Sequence, residues 1–338
     1  MNLKLILIKF LLKSRKVSFL DRRNLVFEKV KNSPDFKIET FGKKNQSKIF
    51  YVIKRIKGGG LFSNFLFVLN HLLVAEKLKM IPVIDMENFS NLYNEKRKVK
   101  GTFNSWLYYF EPVSNYSLAQ VYKSKFVVFS SEKIFSGQSL SFKDNFRELR
   151  RVYKKYIKIK KEYLDLSKKF IKLNNIGKHT LSVHWRGTDH KVLPGHPLPP
   201  TKKQIFNLIN EKLKNKKFKN IFVVTEQKKY LSILKKNFQN IKFLESFRSD
   251  FLKDFSNYDR KFHRFRLGKD SLIETLILAN TNFLICSRSN ISEVAVLFSN
   301  NKLKVNEIKN GYNSKSIFFS LFKWKIKNFL PKFLGGFG

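Results

Sequence analysis

Short β-branched and aromatic runs alternate with longer stretches of helical periodicity along most of this 338-residue chain. Ile49-Phe50-Tyr51-Val52-Ile53 runs into Lys57-Gly58-Gly59-Gly60 and then into the periodic apolar stretch Leu61 to Leu78, which predicts strand, glycine turn and helix. Ile81-Pro82-Val83-Ile84-Asp85 follows after a short connection. It predicts a second, parallel strand and makes residues 49–85 a βαβ unit with a right-handed crossover. Lys125 to Ser130 predicts another strand. Asp144 to Lys172 predicts one long helix leading out of the first domain, with Phe146, Leu149, Tyr153, Tyr156, Tyr163, Leu164 and Phe170 at its apolar positions.

The alternation restarts after Asn174-Asn175-Ile176-Gly177. Strands are predicted at 180–185, 221–225, 241–244 and 282–286, and helices from about Thr201, at 227–238, at 270–280 and near 290–298. Strand–helix units in both halves predict an α/β chain with two Rossmann-type domains and parallel sheets, whose ligands bind beyond the carboxyl ends of the strands. The expected division is an extension over 1–47, domains over 48–175 and 176–315, and a basic amphipathic tail over 316–338. Phe247 to Leu267 is the least regular segment and fits either a mobile flap near the site or plain surface.

The net charge of +43 adds less than its size suggests. Clustered cations favour nucleic acid by releasing counterions, but here lysine far outnumbers arginine and is spread along the whole chain. No zinc-finger spacing, RNP aromatic signature or heptad-linked basic region accompanies it, so no specific nucleic-acid partner is expected. The one cysteine, Cys286, sits in the apolar run Phe283-Leu284-Ile285-Cys286, which reads as core and as a reducing compartment. Met1 to Leu12 carries Lys4 and Lys9 and is too short and too charged to span a bilayer or act as an ordinary signal peptide. Ser316 to Gly338 interleaves phenylalanines and lysines, the pattern either of a helix lying on an anionic membrane or of one docked on the protein's own core. A cytoplasmic protein, with peripheral contact to the inner membrane face, is the expected localisation.

Three strand ends carry candidate chemistry. Leu181-Ser182-Val183-His184-Trp185-Arg186-Gly187-Thr188-Asp189 ends an apolar strand in a guanidinium, a glycine and an acid, a combination suited to a phosphorylated ligand. Arg186 would grip diphosphate oxygens with Asp189 orienting it, or pair with Asp189 only to fix the loop; His184 reads as a ligand contact or a satisfied core histidine. Gly58, Gly59 and Gly60 before a helix allow close backbone approach by phosphate or sugar, without the Lys-Ser/Thr of a P-loop. Ser287, Ser289 and Asn290 end the last predicted strand and serve equally well as ligand contacts or helix caps.

In order, these motifs resemble the superfamily of α1,6-fucosyltransferases, nodulation fucosyltransferases and protein O-fucosyltransferases over roughly residues 48–300. Gly58-Gly59-Gly60-Leu61-Phe62-Ser63-Asn64 with Ile81-Pro82-Val83-Ile84-Asp85 is similar to its opening, and His184-Trp185-Arg186-Gly187-Thr188-Asp189 to its His-x-Arg-x-x-Asp motif. Phe222-Val223-Val224-Thr225-Glu226 and Glu274 to Ser292 resemble the second and third motifs. The resemblance implies an inverting, metal-independent glycosyltransferase of GT-B-like architecture, two Rossmann-type domains facing a central cleft, with no cofactor and GDP-fucose or another GDP-sugar as donor. It makes 48–175 the acceptor side and 176–315 the GDP-sugar side. It places the essential arginine on Arg186, the motif histidine and aspartate on His184 and Asp189, the guanine-recognising acid on Glu274 and the serine loop on Ser287, Ser289 and Asn290. Thr225 and Glu226 fall near the nucleoside, and Asn64 belongs to the opening turn.

Departures from the family pattern are Gly187 in place of a second basic residue and His190 in place of lysine. The general base is not evident. His196 in the loop 191–200 and Glu111 in the aromatic segment 103–112 are its candidates, and that segment reads as half-buried core or as a platform for an acceptor sugar. The expected activity is transfer of fucose or a related deoxyhexose from a GDP-sugar to a glycan or lipid-linked glycan hydroxyl. A catalytically inactive glycan- or nucleotide-binding relative is the alternative, followed by a basic nucleic-acid binder.

Overall fold

The computed structural model describes residues 37–56, 59–131, 142–187, 189–214, 217–250, 258, 260–300 and 302–337. The expected N-terminal extension up to residue 36, Gly58, and residues 251–257 of the irregular segment lie outside that set. The chain divides into two compact units, at Lys160 and Lys161.

The first unit is built on a four-stranded sheet of β1 (Lys37–Glu39), β2 (Lys44–Ile53), β3 (Ile81–Ile84) and β4 (Ser124–Phe129), in the order β1-β4-β2-β3. β2 runs parallel to both β3 and β4, as the βαβ pattern predicts, while the short edge strand β1 is antiparallel to β4. Helix α1 (Leu61–Lys77) makes the crossover and buries almost its whole circumference. Such a helix has no polar stripe to expose, which is why the periodicity of 61–78 is so heavily apolar. Phe50, Val52, Val83, Val127 and Phe129 form a core on one face of the sheet together with Val121 from the single-turn helix α2 (Leu118–Val121).

Trp106, Tyr108, Tyr109 and Phe110 are buried in or next to the 3₁₀ turn Ser105–Tyr108. The aromatic segment is therefore core, not a sugar platform. Asp85, just past β3 and fully buried, accepts hydrogen bonds from the Glu87 and Asn88 amides, the Asn88 side chain and the Tyr122 hydroxyl.

The predicted long helix over 144–172 is two helices, α3 (Phe142–Tyr156) and α4 (Lys161–Leu173). Ile157 to Lys160 leaves the helix to pair with the aromatic segment, Glu111 N donating to Lys158 O at 2.9 Å and Lys160 N to Tyr109 O at 3.1 Å. Tertiary pairing overrides a periodicity that runs straight through the break. The unit boundary falls at the same place, so α4 belongs to the second unit.

The second unit carries an all-parallel sheet in the order β7-β6-β5-β8-β9: β5 (Thr180–His184), β6 (Asn220–Val224), β7 (Ile241–Lys242), β8 (Phe283–Cys286) and β9 (Lys304–Glu307). The order is that of a Rossmann sheet, and it reverses between β5 and β8. Helices α5 (Lys202–Lys214), α6 (Lys228–Asn237), α7 (His263–Ala279) and α8 (Asn290–Phe298) connect the strands. All five residues of β5 are buried, as a central parallel strand covered on both faces requires. Leu181, Val183 and Trp185 pack with Ile205 and Ile209 of α5 and with Tyr230 and Leu234 of α6. On the opposite face Ser182 donates to Thr281 at 2.8 Å. The last helix, α9 (Ile317–Phe329), falls in the segment expected to be amphipathic. Among the described residues no helix is long and apolar enough to cross a membrane.

Replacing Asp85 by alanine removes the buried acceptor of four hydrogen bonds at once. An Asp85→Ala chain is expected to lose about 2–4 kcal/mol of stability, read from its urea midpoint, with Asp85→Asn losing less because the amide still accepts.

Candidate functional site

Three strand ends meet because β5 lies between β6 and β8. His184 is in register with Val224 on one side and with Cys286 on the other, so the loops that begin at Trp185, Thr225 and Ser287 leave the sheet side by side. This is the reversal point of the strand order, where open α/β sheets bind their ligands.

In the first loop, Arg186 Nη2 and Asp189 Oδ2 form an ion pair at 2.6 Å, both side chains about one-quarter exposed. Burial raises the Asp189 carboxyl, but the Arg186 guanidinium beside it outweighs that and holds the group below the usual carboxylate range. Asp189 Oδ1 also accepts from the His190 amide at 2.9 Å, which fixes the acid from a second direction. Thr188 lies outside the described residues.

Gly187 is held from the second loop. Its amide donates to Glu226 Oε1 at 2.7 Å, and the Thr225 hydroxyl donates to Trp185 O at 2.8 Å. A side chain does not fit at this point: a Cβ on Gly187 would lie 2.0 Å from Gln227 Oε1 and 2.6 Å from Tyr230 Cε2. The Gln227 amide can swing away. The Tyr230 ring cannot, because it is stacked on Trp185 at 4.0 Å between centroids. The glycine that departs from the family pattern is thus required by local packing.

The third loop holds buried hydroxyls. Ser289 caps α8, accepting from the Ser292 amide at 3.2 Å, and its Oγ lies 3.3 Å from His184 Nδ1. Burial, then the Arg186 charge, push His184 down to about 3, so the ring is neutral. Asn290 begins α8 and is exposed. The Ser287 hydroxyl is fully buried and, among the described residues, has no hydrogen-bond partner. The same holds for Gln227 Oε1 after β6 and His190 Nδ1 after β5. Buried polar atoms without partners are rare in folded proteins, and these three fall in or next to the three loops that converge.

His196 is half-buried with its ring 4.9 Å from that of His190. Burial lowers both histidines, and the Arg186 charge lowers them further; His190 reaches about 3. Glu274 on α7 is buried against Arg248 at 3.3 Å and accepts from Ser246 at 2.9 Å, and burial pushes it up to about 7. Arg248 also donates to the carbonyls of Thr225, Leu244 and Ser246. That arginine, in the stretch read as flap or surface, is a buried brace linking Glu274 to the loop after β6. In the sequence it is one of four arginines in an irregular segment, and nothing there sets it apart. Cys286 is buried and burial pushes its thiol up to about 12, in keeping with core.

The remaining candidates belong to the first unit. Gly60 is the N-cap of α1, the Leu61 amide donates to Tyr93 OH at 2.7 Å, and Asn64 is buried with Oδ1 lacking a partner among the described residues. Glu111 is exposed, and its backbone is tied to Lys158 and, through its carbonyl, to Trp106 Nε1. The same unit holds a cavity of about 590 Å³ at the carboxyl end of β3, lined by Ile84, Glu87, Asn104 and residues 112–119. Among the described residues no three His, Cys, Asp or Glu side chains come together to hold a metal ion.

No family model matches the chain, and no curated protein does. Among solved structures, NodZ alpha-1,6-fucosyltransferase co-crystallized with GDP is 14% identical, with 78% of this chain and 96% of that one covered and a TM-score of 0.49. The same enzyme soaked with GDP-fucose is 15% identical over 74% and 93%, TM-score 0.47. POFUT1 in complex with GDP is 12% identical over 78% and 98%, TM-score 0.47. These are proteins of the kind that the motif order resembles.

Gly187→Ala is expected to destabilise the second unit by about 1–3 kcal/mol through overpacking. Adding Gln227→Ala to Gly187→Ala should not restore the unfolding midpoint, because Tyr230 remains in the way. Glu274 generates a pH effect of definite sign. Its ordinary value is 4.5 and its native value about 7, so between these the folded chain holds a proton that the unfolded chain releases. Its contribution to stability is therefore full below that window and falls as pH rises through it. Denaturation midpoints measured from pH 4.5 to 7.5 should decline less steeply in Glu274→Gln than in the native chain.

Proposed function

We propose that this chain is a glycosyltransferase that transfers fucose or a related deoxyhexose from a GDP-sugar to a glycan hydroxyl, with inversion. The observation that carries the reading is the convergence of the Arg186–Asp189 pair with buried polar atoms that have no partner among the described residues, at the reversal point of the parallel sheet. The motif order of the sequence supplies the chemical class.

Departure of GDP breaks the bond between the anomeric carbon and the β-phosphate oxygen, and the electron pair stays on that oxygen. The developing charge needs positive groups already in place, since reorienting them during reaction would cost energy. A guanidinium presents five N–H donors in a planar fork. Asp189 bonds one of its nitrogens and fixes the plane of the fork, a geometry suited to binding two diphosphate oxygens. His184 and His190 are neutral, so the cationic charge at this point is concentrated on Arg186. On the opposite face of the sugar the acceptor hydroxyl attacks and releases its proton. His196 takes the role of base: half-buried, beside the site and lowered by burial, it is neutral at working pH. Glu274, Thr225 and Glu226 would face the nucleoside, and Gly59, Gly60 and Asn64 the acceptor side.

In a thermal-shift series GDP should raise the melting temperature where UDP and CDP do not, by about 2.7 kcal/mol of apparent stability at a hundredfold excess over Kd. Arg186→Ala should cost about 10²–10³ in kcat with GDP-fucose, and Arg186→Lys should recover little because the fork is lost. Transfer by the native chain should show an acid limb below the ordinary histidine value, and His196→Gln should remove that limb together with most of the rate. Unchanged transfer in Arg186→Ala would sink the mechanism.

A further inference from the structure

Helix α9 is amphipathic in the inverted sense. The side it turns to the protein is attached through polar atoms: Ser320 is fully buried and donates to Val192 O at 2.6 Å, and the half-buried Trp324 donates through Nε1 to Pro199 O at 2.9 Å. The side it turns to solvent is phenylalanine. Nine of the sixteen exposed large apolar side chains among the described residues lie between Ile317 and Leu334. Phe318, Phe322, Ile326 and Phe329 follow one another at helical spacing, 66%, 45%, 55% and 86% exposed, and Phe319 widens the stripe. A stripe of this kind facing water is unfavourable at about 25 cal/mol per Å² of apolar surface, so it calls for a partner.

Charge selects the partner. From Ile308 to Gly338 there is no acidic residue and there are six lysines. At helical spacing Lys325 borders the phenylalanine stripe on one side and Lys323, whose Nζ also donates to Tyr312 O at 2.9 Å, on the other, with Lys332 just beyond. A cavity of about 720 Å³ between the start of α5 and the end of α9 adds Lys202 and Lys203 next to Phe206, Phe329 and Phe337. A protein partner would have to match both an aromatic ridge and an unbroken cationic rim. A bilayer with anionic headgroups matches both without further detail, taking the rings among the acyl chains and the ammonium groups among the phosphates.

We propose that α9, with Phe333 and Leu334 beyond it, is an in-plane docking surface for an anionic lipid bilayer. With the segment 311–314 that leads into it, α9 also underlies the loop that carries His196: the helix itself contributes the Ser320 and Trp324 bonds, and the leading segment the rest. Asn313 N donates to His196 O at 2.7 Å, Gly195 N to Ser314 O at 2.9 Å and Leu198 N to Gly311 O at 2.9 Å, and the Asn313 amide donates to the carbonyls of Lys191 and Leu193. Docking thus sets the height of the His196 loop above the lipid surface, which suits a lipid-linked acceptor. That last consequence rests on the glycosyltransferase reading; the docking itself does not.

The test is co-sedimentation of the full chain with phosphatidylcholine vesicles with and without phosphatidylglycerol. Binding is expected to the anionic vesicles and to weaken as NaCl is raised. The exposed triple variant Phe318→Glu/Phe322→Glu/Phe329→Glu should lose at least about tenfold in partitioning with its thermal unfolding unchanged. Lys325→Gln/Lys332→Gln should lower binding to anionic vesicles only. No binding of the native chain to either vesicle overturns the proposal. So does a self-associated chain in light scattering that the triple variant turns monomeric, since a second copy would then cover the stripe. A GDP-induced thermal shift measured on the same preparations separates the two readings: docking can fail while that shift persists, and the reverse.

Discussion

Everything at the site descends from the parallel registers of β5 with β6 and with β8. Parallel pairing aligns strand ends, and a strand order that reverses beside β5 sends the connecting helices to opposite faces, so that the chain after His184, Val224 and Cys286 has no helix directly above it. The loops there must close on one another. Thr225 and Glu226 do so by bonding the backbone of Trp185 and Gly187, and Ser289 by reaching His184. The tight approach of these loops is what excludes a side chain at Gly187, and around it the Ser287, Gln227 and His190 atoms are buried without partners among the described residues. A ligand site here is the cost of the topology more than an addition to it.

The electrostatics follow from the same crowding. Burial disfavours the charged form of every group, and a permanent guanidinium disfavours neighbouring cations further. His184, His190 and His196 are each lowered by burial and by Arg186, whereas Asp189, close enough to bond Arg186 directly, is the group on which attraction exceeds burial. The Arg186 guanidinium, oriented by the Asp189 carboxylate and flanked by neutral imidazoles, is suited to a ligand whose own charge grows as it departs. Glu274 shows the opposite balance. Arg248 spreads its donors over three carbonyls as well as the carboxylate, so burial wins and the acid is raised.

Much of this was legible in the sequence, for reasons that differ between elements. The β5 strand and its loop were visible because a central parallel strand must be apolar on both faces, and the break to Trp185-Arg186-Gly187 is abrupt. The βαβ unit over 49–85 was visible because a buried crossover helix is apolar nearly all round. The break between α3 and α4 was not, since Ile157-Lys158-Ile159-Lys160 keeps a helical spacing of apolar and charged residues and leaves the helix only to pair with a segment distant in sequence. The edge strand β9 carries too few buried positions to alternate visibly, and β1 is only three residues long. Arg248 and the orphaned Ser287, Gln227 and His190 atoms were illegible in principle: burial and partnership are properties of the fold, and a serine that caps reads the same in sequence as a serine left without a partner.

The tail shows why a pattern without a structure leaves direction open. Phenylalanine and lysine alternate there in a way that fits an apolar face turned inward, and a helix packed on its own core would have looked identical. What distinguishes the two is which residues make the contacts. Ser320 and Trp324 use a hydroxyl and an indole N–H to bind main-chain carbonyls of the loop 191–200, and among the described residues this polar attachment leaves the phenylalanines exposed. Hydrogen bonds to a loop fix position with little apolar burial. The helix is therefore held in place for its outward face, and the diffuse positive charge of the chain, uninformative about a partner when read as a total, becomes specific where it borders that face.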